Sequence, residues 1–145
     1  MTLFRRPDSL EMTAQHWAEM RDEVARKVPE EACGLLVGTV MGRIYHVAEV
    51  IPTVNILSSP VGYRLDPQEQ LDAFDHIEKQ GWELLGIYHS HPEGPETPSP
   101  TDIAEAYYPE AVYLIWSGYS GKWTCRGFII QEKSVHEIPI KVRNG

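Results

Sequence analysis

The stretch Leu84-Leu85-Gly86-Ile87-Tyr88-His89-Ser90-His91-Pro92-Glu93-Gly94-Pro95-Glu96-Thr97-Pro98-Ser99-Pro100-Thr101-Asp102 changes backbone type twice within nineteen residues. Residues 84–90 are apolar up to the histidine and short enough for a buried strand. Side chains two apart on a strand share a face, so His89 and His91 present two imidazoles together while Ser90 turns away. Three prolines and a glycine in 92–98 then break any regular element. Ser99 opens a helix as its cap, with Pro100 in the first turn and Asp102 at the third position. This strand, loop and helix bring four reactive side chains near one sheet edge.

From the third helical position the Asp102 carboxylate either helps cap the helix or faces back toward the histidines, and the loop is long enough for the second. Two histidines and one carboxylate are a three-ligand set that leaves the fourth tetrahedral position to water. A structural zinc site would be closed by four protein ligands, and no nearby cysteine offers itself. The open set therefore favours catalysis, with zinc as the expected metal and iron in a two-His, one-carboxylate site as the competing reading.

Outward from this stretch the chain alternates strands and helices irregularly. Residues 10–12 read as a short strand, and Thr13 caps a helix that carries Trp17, Met20, Val24 and Val28 on one face and stops at Pro29. Residues 32–40 and 43–50 read as paired strands turning at Met41-Gly42, and 62–65 as extended. Asp66 caps a second helix with Leu71, Phe74 and Ile77 as its buried stripe and Gly81 as its stop. Past Asp102 the third helix runs to about Tyr107. Residues 111–117 and 122–130 form a hairpin, and 135–142 a last strand. The expected architecture is mixed α/β, with a central, mostly antiparallel sheet flanked by about three helices.

The totals restrict the function. The 145 residues suit one domain, read here as spanning 1–145. A formal charge of -8 argues against sequence-independent nucleic-acid binding, which needs lysine and arginine against phosphates. No long uncharged apolar run predicts a membrane span, and Pro7-Asp8-Ser9 stands where a leader would need apolar residues. The expected location is the cytoplasm, where Cys33 and Cys125, at no metal or redox spacing, read as free thiols.

The segment His89-Ser90-His91-Pro92 through Pro98-Ser99-Pro100-Thr101-Asp102 resembles the signature of the JAMM (MPN+) metalloprotease family: H-x-H, seven residues, S-x-x-D. Upstream, Pro29-Glu30-Glu31-Ala32-Cys33-Gly34-Leu35-Leu36-Val37-Gly38 is similar to that family's first core strand. Tyr63-Arg64-Leu65-Asp66-Pro67 resembles the segment before the second helix in small prokaryotic members. The resemblance implies a cytidine-deaminase-like layout, one zinc ion per chain on His89, His91 and Asp102, Glu31 as general base and Ser99 as oxyanion stabiliser. It implies hydrolysis of a peptide or isopeptide bond after the glycine tail of a ubiquitin-like or sulfur-carrier protein. Two other readings share the fold: a RadC-like protein of DNA metabolism and a scaffold domain without catalysis. The acidic composition and the Glu-x-Cys-Gly strand oppose the first, and the complete ligand set opposes the second.

The remaining candidates read as ordinary. His16, His46, His76 and His136 lack ligand partners at a recognisable spacing, and Glu93 and Glu96 read as solvated loop charges. Cys33 reads as a small buried side chain, and Trp82, Tyr88, Trp116 and Trp123 as core or edge aromatics. Arg64 is a candidate contact for a substrate carboxylate.

Overall fold

The computed structural model describes residues 4–144. Its elements are β1 (Ser9–Thr13), α1 (Ala14–Lys27), β2 (Cys33–Met41), β3 (Ile44–Thr53), α2 (Pro67–Gln80), β4 (Glu83–His91), α3 (Pro100–Ala104), β5 (Val112–Ser117), β6 (Thr124–Gln131), β7 (Ser134–Ile138) and β8 (Ile140–Arg143). The strands form a single sheet in the order β7-β6-β5-β4-β2-β3-β1-β8. Four of its seven ladders are antiparallel; β1 runs parallel to β3 and β8, and β4 parallel to β5. The mixed, mostly antiparallel sheet with three helices is as expected.

The expected final strand is two strands. Pro139 has no N–H for a ladder, and the chain breaks there, with β7 on one edge of the sheet and β8 on the other. A single residue joins the two edges, so the sheet must curl until they nearly meet. Leu10 of β1 closes the seam by donating its N–H to the Pro139 carbonyl at 2.9 Å. The inside of the curl is filled by α1: Met20 and Val24 pack with Leu10, Leu36, Tyr88 and Ile138, and the Trp17 ring meets that of Trp116 at 4.7 Å. Val28, expected on the same stripe, is instead an exposed C-cap.

The outer face carries α2 and α3 over Leu35, Ile87, Tyr113, Ile115 and Phe128. On α2 the buried positions are Ala73 and Ile77, and Leu71 is 63% exposed, which corrects the expected stripe. The helix is rolled so that small Ala73 meets the sheet, allowing close approach. Residues 62–65 form no strand beyond one bridge between Asn55 and Leu65, and α3 ends at Ala104 rather than near 107. An extra residue in β4, Leu85, bulges the ladder between Leu36 and Val37. Beyond it, Gly86, Tyr88 and Ser90 face inward, and Ile87, His89 and His91 face outward beneath α3. Among the described residues no helix is long and apolar enough to cross a membrane.

Candidate metal centre

The site stands at the C-terminal end of β4, where that strand pairs antiparallel with β2 and parallel with β5. His89 lies opposite Cys33 of β2, and His91 opposite Ser117 of β5. The Nε2 atoms of His89 and His91 are 3.1 Å apart. Asp102 Oδ2 lies 3.2 Å from the first and 3.1 Å from the second. Three donor atoms thus form a nearly equilateral triangle. A tetrahedral ion about 2.0 Å from each ligand needs edges of about 3.3 Å, so the residues present fit such an ion.

Protonation supports the fit. His91 Nδ1 sits 2.7 Å from the Pro95 carbonyl, which can only accept, so Nδ1 donates and Nε2 is left to face the triangle. His89 is fully buried, and its Nδ1 meets no hydrogen-bond partner among the described residues. Its ring is instead stacked on Tyr63.

Asp102 does both things its position allowed. The same Oδ2 that faces the histidines accepts the Ser99 N–H at 2.9 Å, while Ser99 Oγ accepts the Asp102 N–H at 3.0 Å. This reciprocal cap on α3 pins the carboxylate. Burial alone would raise its pKa, but the hydrogen bonds from His89 and His91 outweigh that and hold it well below the usual carboxylate range. Burial lowers His89 below its ordinary value, against the pull of Asp102. Burial also opposes the charge on His91, but the bonds to Asp102 and Pro95 prevail and raise it.

Glu31 approaches from the stretch between α1 and β2, with a carboxylate oxygen within 4.8 Å of the ligand nitrogens of both histidines. It is buried, which pushes its pKa up to about 7 despite the favourable charge of His91, with Asp102 adding to the rise. Ser90, turned inward as expected, sets its height. Ser90 Oγ accepts the Ala32 N–H at 2.8 Å, and the Ser90 N–H donates to the Ala32 carbonyl at 3.1 Å.

Glu31, His91, Ser99 and Asp102 open into one cleft of about 870 Å³, walled by the 57–64 segment, residues 92–95 of the loop and the turn around Tyr119. Arg64 and Glu93 line it with exposed side chains. Glu96 is not simply solvated: it accepts from the Thr124 hydroxyl at 2.7 Å and pairs with Arg126 at 3.6 Å, tying the loop to β6. Cys33 and Cys125 are free thiols. Burial raises Cys33 to about 11, so it stays a thiol beneath the site. His16 and His76 serve structure, one in the cap of α1 and the other against Glu49 at 2.8 Å.

Sequence reasoning missed the placement of Tyr63 on the His89 ring and of Asn55, whose amide bonds the backbone of Glu31, Leu57, Gly62 and Arg64. Tyr63 was visible only as part of a familiar segment, and Asn55 carried no signal beyond being a polar residue after a strand.

Residues 13–126 match the family described as prokaryotic homologs of the JAB domain. A desampylase of Haloferax volcanii is 41% identical over 98 residues, 67% of this chain and 69% of that protein. A probable TtuB-protein conjugate cleaving protease of Thermus thermophilus is 40% identical over 115 residues, 79% of this chain and 71% of that protein. A CysO-cysteine peptidase of Mycobacterium tuberculosis is 35% identical over 118 residues, covering 81% and 80%. A solution structure of a protein from Desulfitobacterium hafniense superposes with a TM-score of 0.85 at 36% identity, over 94% of each chain. The chain belongs to the prokaryotic branch of the JAB (JAMM) family.

Proposed function

We propose that this chain is a single-domain zinc metallopeptidase that hydrolyses the amide bond following the C-terminal glycine tail of a ubiquitin-like or sulfur-carrier protein. The observation that carries the reading is the triangle of His89 Nε2, His91 Nε2 and Asp102 Oδ2, with edges of 3.1 to 3.2 Å, beside a buried glutamate. Those three atoms would hold the ion. When bound, zinc supplies a water acidic enough to react near neutral pH and polarises the scissile carbonyl.

The chain's own groups do the rest. Glu31, raised to about 7 by burial, is matched to taking a proton at neutral pH and returning it to the leaving amine. The Ser99 hydroxyl accepts from α3 and keeps its own proton, which it donates to the developing oxyanion. The cleft has apolar walls, including Leu57, Val61 and Trp123, that can hold an extended tail and shed water. Relatives named for cutting TtuB-protein conjugates and CysO-cysteine support this substrate class over a role in DNA metabolism.

The test is incubation of the protein with small ubiquitin-like carriers extended past their Gly-Gly ends, followed by intact mass measurement. A mass loss equal to the extension, abolished by a chelator and restored by zinc, is expected. Cleavage insensitive to the chelator, or none across a panel of carriers, would overturn the reading.

A further inference from the structure

Asn55 follows β3, is 8% exposed, and spends its whole side-chain amide on the backbone around the site. Its Nδ2 donates to the carbonyls of Glu31 at 3.0 Å and Gly62 at 2.9 Å. Its Oδ1 accepts the N–H groups of Leu57 at 3.1 Å and Arg64 at 3.0 Å. An amide offers two donor hydrogens and two lone pairs, so all four are engaged. The bond to the Glu31 carbonyl is buried and the other three are part-buried, so cutting the first strands a buried acceptor, which costs more than the bond itself contributes.

The four partners belong to two different parts of the site. Glu31 lies in a stretch outside any helix or strand, so no ladder fixes its backbone. Leu57, Gly62 and Arg64 belong to the cleft wall, which also brings Tyr63 against His89. The ends of that wall are held together, outside the sheet, by one isolated bridge, Asn55 to Leu65. The remaining direct tie between base and wall is the Glu31 N–H donating to the Ser59 carbonyl at 2.8 Å. The backbone of the metal triangle is placed by β4 and the α3 cap, and the wall meets it through the Tyr63 ring on His89.

We propose that Asn55 is a positioning residue that holds the backbone of Glu31 and the 57–64 wall of the cleft in one fixed relation. A proton acceptor and the surface that grips the substrate then stay in register without a regular element between them. The proposal rests on the reading of Glu31 as general base. Displacing such a group by about 1 Å typically costs about a hundredfold in rate.

The test uses the full chain loaded with zinc. Asn55→Asp keeps an acceptor for Leu57 and Arg64 but sets a carboxylate oxygen against the carbonyls of Glu31 and Gly62. Expected are one zinc per chain, as in the parent, a kcat lowered about tenfold to a hundredfold, and a KM changed much less. Added to Glu31→Gln, the Asn55→Asp change should cost little more under single-turnover conditions, because both act through one group. A kcat per bound zinc within about twofold of the parent, or a loss that returns in full on top of Glu31→Gln, would overturn the proposal. Parent-like activity of Glu31→Gln alone would instead remove the base on which it rests. If Asn55→Asp fails to fold, Asn55→Ser, with one short neutral hydroxyl, is held to the same criteria.

Discussion

The ring of Tyr63 lies nearly flat on the imidazole of His89, with centroids 4.3 Å apart and planes 18° from parallel. Histidines that bind metals are ordinarily oriented by a hydrogen bond at the other ring nitrogen, as His91 is by Pro95. His89 Nδ1 meets no such group among the described residues, and packing against Tyr63 orients its ring. Tyr63→Ala should therefore weaken zinc binding about tenfold or more, the size of a lost supporting partner, while Tyr63→Phe keeps the stack and the affinity. Competition against a chromogenic chelator measures both. Parent affinity in Tyr63→Ala would show that the stack is incidental.

Ser99 caps α3 and is the proposed oxyanion donor, and two readouts on one substitution separate these roles. Ser99→Ala removes the side-chain acceptor that caps α3, costing about 1 kcal/mol of stability. It also removes the proposed oxyanion donor, lowering kcat about a hundredfold. The zinc content should stay at one per chain, since Asp102 Oδ2 still accepts the backbone N–H of residue 99. A rate loss of only a few fold at full zinc occupancy would confine Ser99 to capping.

Zinc and protons compete for the same lone pairs. Burial works against a charge on His91, but Asp102 and the Pro95 carbonyl raise its pKa above 6.5, so its proton is held more tightly than an ordinary histidine's. That proton sits on Nε2 facing Asp102 and must leave when the metal enters. Affinity should therefore fall as pH falls, starting above pH 6.5, by about tenfold per pH unit for each proton displaced. Titrations between pH 8 and 5.5 that show a flat Kd would contradict this coupling.

Gly34 of β2 faces Tyr88 of β4, and a Cβ on Gly34 would lie 2.4 Å from the Tyr88 ring. Tyr88 is fully buried in the core that also holds Met20 and Val24 of α1, so its ring can shift only by displacing packed neighbours. Gly34→Ala should cost about 1–3 kcal/mol as overpacking, read from the shift in denaturant midpoint at constant slope. The site should still bind zinc, because the ring lies on the opposite face from His89. Parent stability would mean the ring has space that these distances do not show.

Much of this was legible beforehand because it depends on short-range rules. Strand periodicity placed His89 and His91 together and turned Ser90 inward, and the Ser99 to Asp102 spacing produced both the cap and the inward carboxylate. Thr13, Asp66 and Gly81 mark helix ends as their chemistry dictates. The failures are long-range. Nothing local says that the chain crosses from one sheet edge to the other at Pro139, or that β1 runs parallel to two neighbours. Leu71 looked buried by type, but how a helix is rolled depends on the surface it meets, and here Ala73 fits. Asn55 escaped notice because its four partners are backbone groups, which leave no pattern in side-chain identity.

The central claim joins a three-ligand zinc site to a separate general base. Glu31→Gln tests it most directly, with bound metal and cleavage of a Gly-Gly-extended carrier measured on the same sample. The account predicts one zinc per chain, as in the parent, and a cleavage rate lowered at least about a hundredfold, the lower part of the range for a lost general base. Loss of the zinc would make Glu31 a ligand, and cleavage at the parent rate would leave the reaction without its base; either result contradicts the account.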